Sequence, residues 1–178
     1  TILSHMDYDG KGTLLDVGCG SGALSIRAAL TWQETKVVGI DYWAAVYNYS
    51  QALCEKNAAS EGAGERCTFC RGDANKLDFP DGSFDAVVSN YVYHNITGAD
   101  KRELLLETLG VLKKGGVFAL NDEMKPGMYG DMEAFAQKLR DMGYEEVRFI
   151  DTAKEVFGSH RRAAMMMLGE SKMLAGRK

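Results

Sequence analysis

The sequence predicts an α/β fold, a doubly wound and largely parallel sheet with helices on both faces. Three observations carry that expectation. Short apolar runs with strand character alternate with stretches of helical periodicity along most of the chain. The connections between them are short, so parallel neighbours must be joined by crossover helices. One apolar run, Gly12 to Val17, also ends in a glycine-rich turn that leads straight into a helical stretch. Open α/β sheets place ligands at just such a carboxyl edge.

The elements follow in order. Gly12 to Val17 is the first buried strand, and Ser21 to Thr31 reads as a helix with Leu24, Ala28 and Leu30 among its apolar positions. Lys36 to Asp41 is the second strand. Val46 to about Ala59 suits a second helix, with Val46, Tyr49, Leu53 and Cys54 towards one side and Gly62 and Gly64 ending it. Cys67 to Arg71 is the third strand, and Asp85 to Ser89, after a loop through Pro80 and Asp81-Gly82, is the fourth. Lys101 to Leu112 repeats leucine at helical spacing, and Gly115-Gly116 is expected to stop it. Val117 to Leu120 is the fifth strand, and a helix runs from about Gly130 to Met142. Tyr144 to Ile150 supplies the sixth strand and Arg162 to Leu168 the seventh, with Met165, Met166 and Met167 in its core. Only Asp151 to Arg161 then separates the last two strands, which suggests an antiparallel pair at the sheet edge.

Composition bounds the function. A length of 178 residues suits one domain spanning 1–178, with enough chain for a sizeable core. With 25 acidic and 21 basic residues the formal charge is -4, so there is no broad positive surface and a nucleic-acid partner is not expected. Cys67 and Cys70 have metal-like spacing, but in a strand residues three apart face opposite sides, so no metal is expected there. Free thiols, the lack of a signal peptide and the absence of a ~20-residue apolar run together suggest a cytoplasmic protein.

The strongest local signal is Leu14-Leu15-Asp16-Val17-Gly18-Cys19-Gly20-Ser21-Gly22. Its glycines permit a tight turn and let backbone approach a ligand, while the following helix offers free amides. The loop lacks the lysine and hydroxyl of a nucleoside-triphosphate loop. It also has Ala23 where a G-x-G-x-x-G dinucleotide loop has its last glycine, which leaves a nicotinamide reading open. Asp41 ends the second strand nineteen residues after Gly22, where a carboxylate can accept from both hydroxyls of a ribose. Tyr42 and Trp43 follow, to cover an adenine ring or to pack the next helix. Asp73 follows the third strand, where it and the amide of Ala74 can read an adenine edge, or where Asp73 simply forms a turn.

These segments together resemble the class I S-adenosylmethionine-dependent methyltransferases from Gly12 to about Leu120, and the rest of the chain resembles that family's terminal hairpin region. The resemblance rests on Asp16 to Gly22, on Asp41, on Gly72-Asp73-Ala74, on Leu77 to Asp85, and on Leu112-Lys113-Lys114-Gly115-Gly116. It implies a Rossmann-like seven-stranded sheet of order 3-2-1-4-5-7-6 with strand seven antiparallel. It also implies S-adenosyl-L-methionine as cofactor. In the implied site Asp16 orients the amino group, and Gly18, Cys19, Gly20 and Gly22 form the turn beneath the methionine and ribose. Asp41, Tyr42 and Trp43 lie at the ribose and base, Gly72, Asp73 and Ala74 at the adenine, and Asn90 beside the methionine portion. Relative to the family the amino-terminal cap is short or missing. Eleven residues precede the first strand and the chain begins with Thr1, which leaves an absent lid, domain or membrane anchor as alternatives.

Methyl transfer from a sulfonium asks chiefly for alignment and desolvation, with a general base where the acceptor is protonated. His94 is the candidate base, or else a structural hydrogen-bond partner, and Tyr91 and Tyr93 beside it position an acceptor or pack the cleft wall. Ser89-Asn90-Tyr91-Val92 stands where many amino-methylating enzymes carry an N-P-P-Y tetrad. Lys125, Met128 and Tyr129 lie near the expected substrate mouth. His160, Arg161 and Arg162 form a basic group that either faces an anionic acceptor or a membrane surface, or is a solvated connection. The expected substrate is a small or lipid-like molecule. A binding protein without turnover, and a methyltransferase acting on protein or nucleic acid, are the alternatives.

Overall fold

The computed structural model describes residues 1–45 and 48–178. Its strands are β1 (Gly12–Val17), β2 (Thr35–Asp41), β3 (Cys67–Arg71), β4 (Phe84–Asn90), β5 (Leu112–Glu123), β6 (Glu146–Ile150) and β7 (Ser171–Arg177). They form one sheet in the order β3-β2-β1-β4-β5-β7-β6. The first five pair in parallel, and β7 runs antiparallel to both β5 and β6. This is the order the family resemblance implied. The helices are α1 (Ala23–Thr31), α2 (Gln51–Ser60), α3 (Lys101–Gly110), α4 (Pro126–Tyr129), α5 (Met132–Asp141), α6 (Thr152–Phe157) and α7 (His160–Met165).

Strand alternation divides the interior into two cores. Leu15, Val17, Val87, Phe118 and Leu120 face α3 and α5, where Leu104, Leu105, Leu109, Phe135 and Leu139 cover them. Leu14, Val37, Ala86, Val88 and Ala119 face the other way, towards Ile26 and Ala28 of α1 and Cys54 and Ala58 of α2. With both faces covered, β1 and β4 are buried almost throughout, so they read as continuous apolar runs. Each large side chain taken fully out of water contributes about 1.5 to 3 kcal/mol. Short polar residues start the helices: the side chains of Ser50, Asp100, Asp131, Asp151 and Ser159 each accept an amide from the first turn of α2, α3, α5, α6 and α7.

Three expectations are corrected. The seventh strand is Ser171–Arg177, and the segment proposed for it, Arg162 to Leu168, lies mostly in α7, capped by Ser159. An apolar run without alternation suits either element. Here Met165, Met166 and Met167 are exposed instead of packed in a strand. The true β7 was missed because both its faces are covered and Ser171, Lys172, Gly176 and Arg177 interrupt its apolar centre. Secondly, α3 ends at Gly110, because Val111 and Leu112 turn into the sheet core. Gly115-Gly116 then belong to an irregularity in β5, where the pairing jumps from Phe84↔Leu112 to Ala86↔Val117. Thirdly, α2 starts at Gln51, so Tyr49 precedes it and is exposed, while Val46 lies outside the described residues.

At Gly176 the edge of the sheet leaves no room for a side chain, since a Cβ there would stand 1.9 Å from the carbonyl oxygen of Glu146 on β6. Gly176→Ala is therefore expected to force β6 and β7 apart and to lower stability by about 3 kcal/mol, read from urea denaturation.

Candidate functional site

The carboxyl ends of β1, β2, β3 and β4 meet in one crevice of about 500 Å³. That lies within the roughly 300–1,000 Å³ usual for small-molecule and cofactor sites. Its floor is the glycine loop. Gly18, Gly20 and Gly22 all have positive φ, at 72, 56 and 83°, a path that residues with a Cβ rarely follow. The amides of Gly18 and Cys19 both donate to the carbonyl of Ile40 (2.8 and 2.9 Å), and Gly22 closes the turn onto Cys19. From the far side, Trp43 Nε1 donates to the carbonyl of Gly20 (2.9 Å) and Asn57 Nδ2 to that of Ser21 (3.0 Å).

Asp41 holds this loop against β2. One carboxylate oxygen accepts the amide of Gly20 at 2.9 Å and the other that of Trp43 at 2.6 Å, and each keeps lone-pair capacity towards the crevice. Asp73 follows the end of the neighbouring strand β3 and also lines the crevice. Its Oδ1 accepts both the amide and the side-chain nitrogen of Asn75, a turn that fixes the carboxylate. Gly72 is closely packed, since a Cβ there would lie 3.0 Å from the Ile40 side chain, which would have to give by a few tenths of an ångström. Tyr42 is exposed and lies under the guanidinium of Arg71, 4.6 Å from the ring centre.

Of the residues singled out from the sequence, the crevice brings together Gly18, Gly20, Asp41, Tyr42, Gly72, Asp73, Ala74, Asn90 and Tyr91. The others stand elsewhere. Asp16 is buried beneath the loop and accepts from Ser25 Oγ at 2.6 Å. Burial pushes its carboxyl up to about 7, against the opposing pull of the Ser25 bonds. Cys19 is buried in the α1 and α2 core, Gly22 starts α1 against Phe69, and Trp43 packs behind the loop. Cys67 and Cys70 point into opposite cores, as strand geometry requires.

Of the two readings of Tyr93, the structure favours packing: it is fully buried against α3, with its hydroxyl bonded to Thr108 Oγ1 at 2.8 Å, and it is not among the residues lining the crevice. His94 is partly buried and lines neither the crevice nor the cleft beside it, although Val92 and Asn95, near it in the chain, line the crevice. Its Nδ1 bonds the carboxylate of Asp122. That carboxylate is fully buried and also accepts the amides of Tyr93 (2.7 Å) and His94 (3.2 Å) and the hydroxyl of Tyr129 (2.9 Å). Burial and the Asp122 charge both push the Tyr129 phenol up, which keeps it a donor. The sequence reading passed over Asp122, although Asn121-Asp122-Glu123 is a run of polar residues at the carboxyl end of an apolar strand.

A second cleft, of about 610 Å³, adjoins the first and shares Asn90 and Tyr91 with it. Its walls are mostly apolar, with Ile2 and Leu3 from the amino-terminal turn, Leu24 from α1, and Val156, Phe157 and Leu168 from the β6–β7 connection, and Arg27 and Thr31 of α1 also line it. Along it runs a chain of hydrogen bonds from Asn90 to Asn121, Thr152, Ser171 and the hydroxyl of Tyr91. Tyr91 adopts a φ of 58°, held by that hydroxyl and by its amide on the carbonyl of Asn121 (2.9 Å). A non-glycine residue kept in the left-handed region costs about 1 to 3 kcal/mol and marks a place that the surroundings over-determine.

Fold and crevice together define a nucleoside-binding α/β domain. The family follows from comparison with known proteins: a model described as a methyltransferase domain matches residues 15–120, and the chain belongs to that family, the class I S-adenosylmethionine-dependent methyltransferases. It is similar to 27-O-demethylrifamycin SV methyltransferase of Amycolatopsis mediterranei, 29% identical over 151 residues that cover 85% of this chain and 52% of the relative. The chain thus spans about half the length of that curated relative. Among solved structures it resembles a geranyl diphosphate methyltransferase in complex with GPP and sinefungin (TM-score 0.73, 16% identity, 99% of this chain and 76% of that one). It also resembles the cyclase SpnF (TM-score 0.70, 23% identity, 99% and 79%).

The burial of Asp16 has a measurable consequence. A carboxyl whose folded pKa is about 7 and whose ordinary value is 3.8 binds more protons folded than unfolded between those values, so stability falls as pH rises through that window. Asp16→Asn is expected to flatten that part of the stability curve in urea titrations at a series of pH values. An unchanged slope would show that Asp16 is not the group responsible.

Proposed function

We propose that this chain binds S-adenosylmethionine in the glycine-loop crevice and transfers its methyl group to an apolar small-molecule or lipid-like acceptor held in the adjoining cleft. The observation that carries the reading is the meeting of the two cavities at Asn90 and Tyr91. The crevice residues fit the cofactor. Asp41 offers two oxygens with spare acceptor capacity, as many as a ribose has vicinal hydroxyls, and Asp73 Oδ2, after the neighbouring strand, can accept from an adenine amino group. Asp16 is buried beneath the loop and outside the crevice lining, so its proposed role towards the amino group of the methionine portion would be exerted through water or the loop above it. Relatives named for a demethylrifamycin and for geranyl diphosphate support a small-molecule acceptor.

When bound, the cofactor supplies an activated methyl group on a sulfonium that leaves readily as a thioether. What the chain must then provide is alignment and exclusion of water. The rigid Tyr91 backbone and the bonded ladder from Asn90 to Ser171 fix the wall between the cavities, and the apolar cleft sets the acceptor against it. For a hydroxyl or amine acceptor, His94 is the proposed base. Its Nδ1 is taken by Asp122, so Nε2 is the ring nitrogen left to receive the acceptor proton.

Calorimetry with S-adenosylmethionine, S-adenosylhomocysteine and NAD tests the cofactor. Both sulfur nucleosides are expected to bind, and Asp41→Ala to weaken them by about 1 to 3 kcal/mol. Preference for NAD, or unchanged affinity in the variant, would overturn the assignment. Turnover is read as S-adenosylhomocysteine released in the presence of a panel of apolar acceptors, and no release above the acceptor-free rate across that panel would reject methyl transfer.

With a turned-over hydroxyl or amine acceptor in hand, His94→Gln is expected to lower kcat about a hundredfold or more. Asp122→Asn, checked for folding by thermal melting, should also lower kcat, through loss of the bond that orients the His94 ring. Full activity in His94→Gln would show the histidine to be structural.

A further inference from the structure

The crossover from β6 to β7 carries apolar surface that the fold does not use. Met165, Met166 and Met167 stand in a row at the end of α7 and are 81%, 64% and 84% exposed, and Val156 at the end of α6 is also exposed. Met167 has a φ of 61°. It occupies the left-handed position that terminates α7, with its amide on the carbonyl of Ala164 (3.0 Å) and that of Leu168 on Ala163 (2.9 Å). Glycine is the usual occupant of such a helix stop. A methionine there bears backbone strain and returns no packing to the core, so its side chain has its use outside the fold.

Charge accompanies the methionines. From Gly158 to Met167 there is no acidic residue, while Arg161 and Arg162 are exposed and make no ion pair among the described residues. Of the nearby acids, Asp151 pairs with His160 and Glu155 with His5, while Glu170, three residues beyond Met167, makes no ion pair among the described residues. The same crossover supplies Val156, Phe157 and Leu168 to the apolar cleft.

We propose that this crossover docks the chain on a lipid bilayer bearing anionic headgroups, with the methionines among the acyl chains, the two arginines at the phosphates, and the acceptor cleft opening towards the membrane. Unbranched methionines and long cationic stems suit a fluid partner that offers no fixed shape. A second copy of the chain meeting this patch symmetrically would set Arg161 and Arg162 against themselves. Only the direction of acceptor delivery rests on the proposed function; the docking itself is read without turnover.

The test is co-sedimentation of the full chain with vesicles of phosphatidylcholine alone and of equimolar phosphatidylcholine and phosphatidylglycerol. Binding is expected to the anionic vesicles and to be at least about tenfold weaker to the neutral ones. Arg161→Glu/Arg162→Glu and Met165→Ser/Met166→Ser/Met167→Ser should each lose about tenfold or more on the anionic vesicles while binding S-adenosylhomocysteine like the parent. Retained nucleoside affinity separates failure of docking from failure of the cofactor site. No binding to either vesicle, or undiminished binding in both variants, would overturn the proposal. So would self-association that the methionine variant abolishes, in the absence of vesicle binding.

Discussion

The site depends on one carboxylate joining two strand ends. Asp41 closes β2, and its oxygens take the amides of Gly20 and Trp43, so the glycine loop leaving β1 is tied to the neighbouring strand at the point where it must turn. Three positive-φ glycines make the turn sterically possible, but they do not by themselves hold it open. The bonds from Asp41 and to the Ile40 carbonyl give the loop a single path, and Trp43 and Asn57 complete it from behind. The crevice is consequently preformed, with its acceptor oxygens already oriented before any ligand arrives.

A second carboxylate, this one fully buried, organises the other half of the carboxyl edge. Asn121 and Asp122 are consecutive on β5, so the pleat sends them to opposite faces. Asn121 joins the ladder along the apolar cleft, through Asn90 and Thr152. Asp122 gathers the chain after β4, taking two backbone amides, the His94 ring and the Tyr129 hydroxyl. An ionised carboxylate without water needs this many donors, because each missing one leaves part of its desolvation uncompensated. The polar end of β5 therefore fixes the β4 loop from both sides of the sheet.

What was legible in the sequence follows from how local each cause is. The glycine loop, Asp41 and Gly72-Asp73-Ala74 were readable because strand, turn and acid occur together within a few residues. The seven-strand order came with the family resemblance, since no local pattern states which strands are neighbours. The β7 segment was misplaced because a strand covered on both faces loses its alternation, while the exposed methionines of α7 imitate one. Tyr93 was read as a cleft residue by its proximity to His94, yet the short helical turn Tyr93–Asn95 points it into the α3 core. Asp122 and Tyr129 were not grouped with His94, because that contact spans 28 residues and is made only once β4 and β5 pair.

The fold does not choose the reaction, since a methyltransferase and a cyclase resemble this chain about equally in backbone. Choice must come from what meets at the boundary between the two cavities. There the chain spends backbone strain on Tyr91, a residue with a ring and a hydroxyl where glycine would be free of strain. The hydroxyl anchors it to Ser171 on β7, and the amide anchors it to β5, so the wall is braced by strands on one side and open to both cavities on the other. A wall of that stiffness suits a reaction that needs two partners held in line and asks for little else.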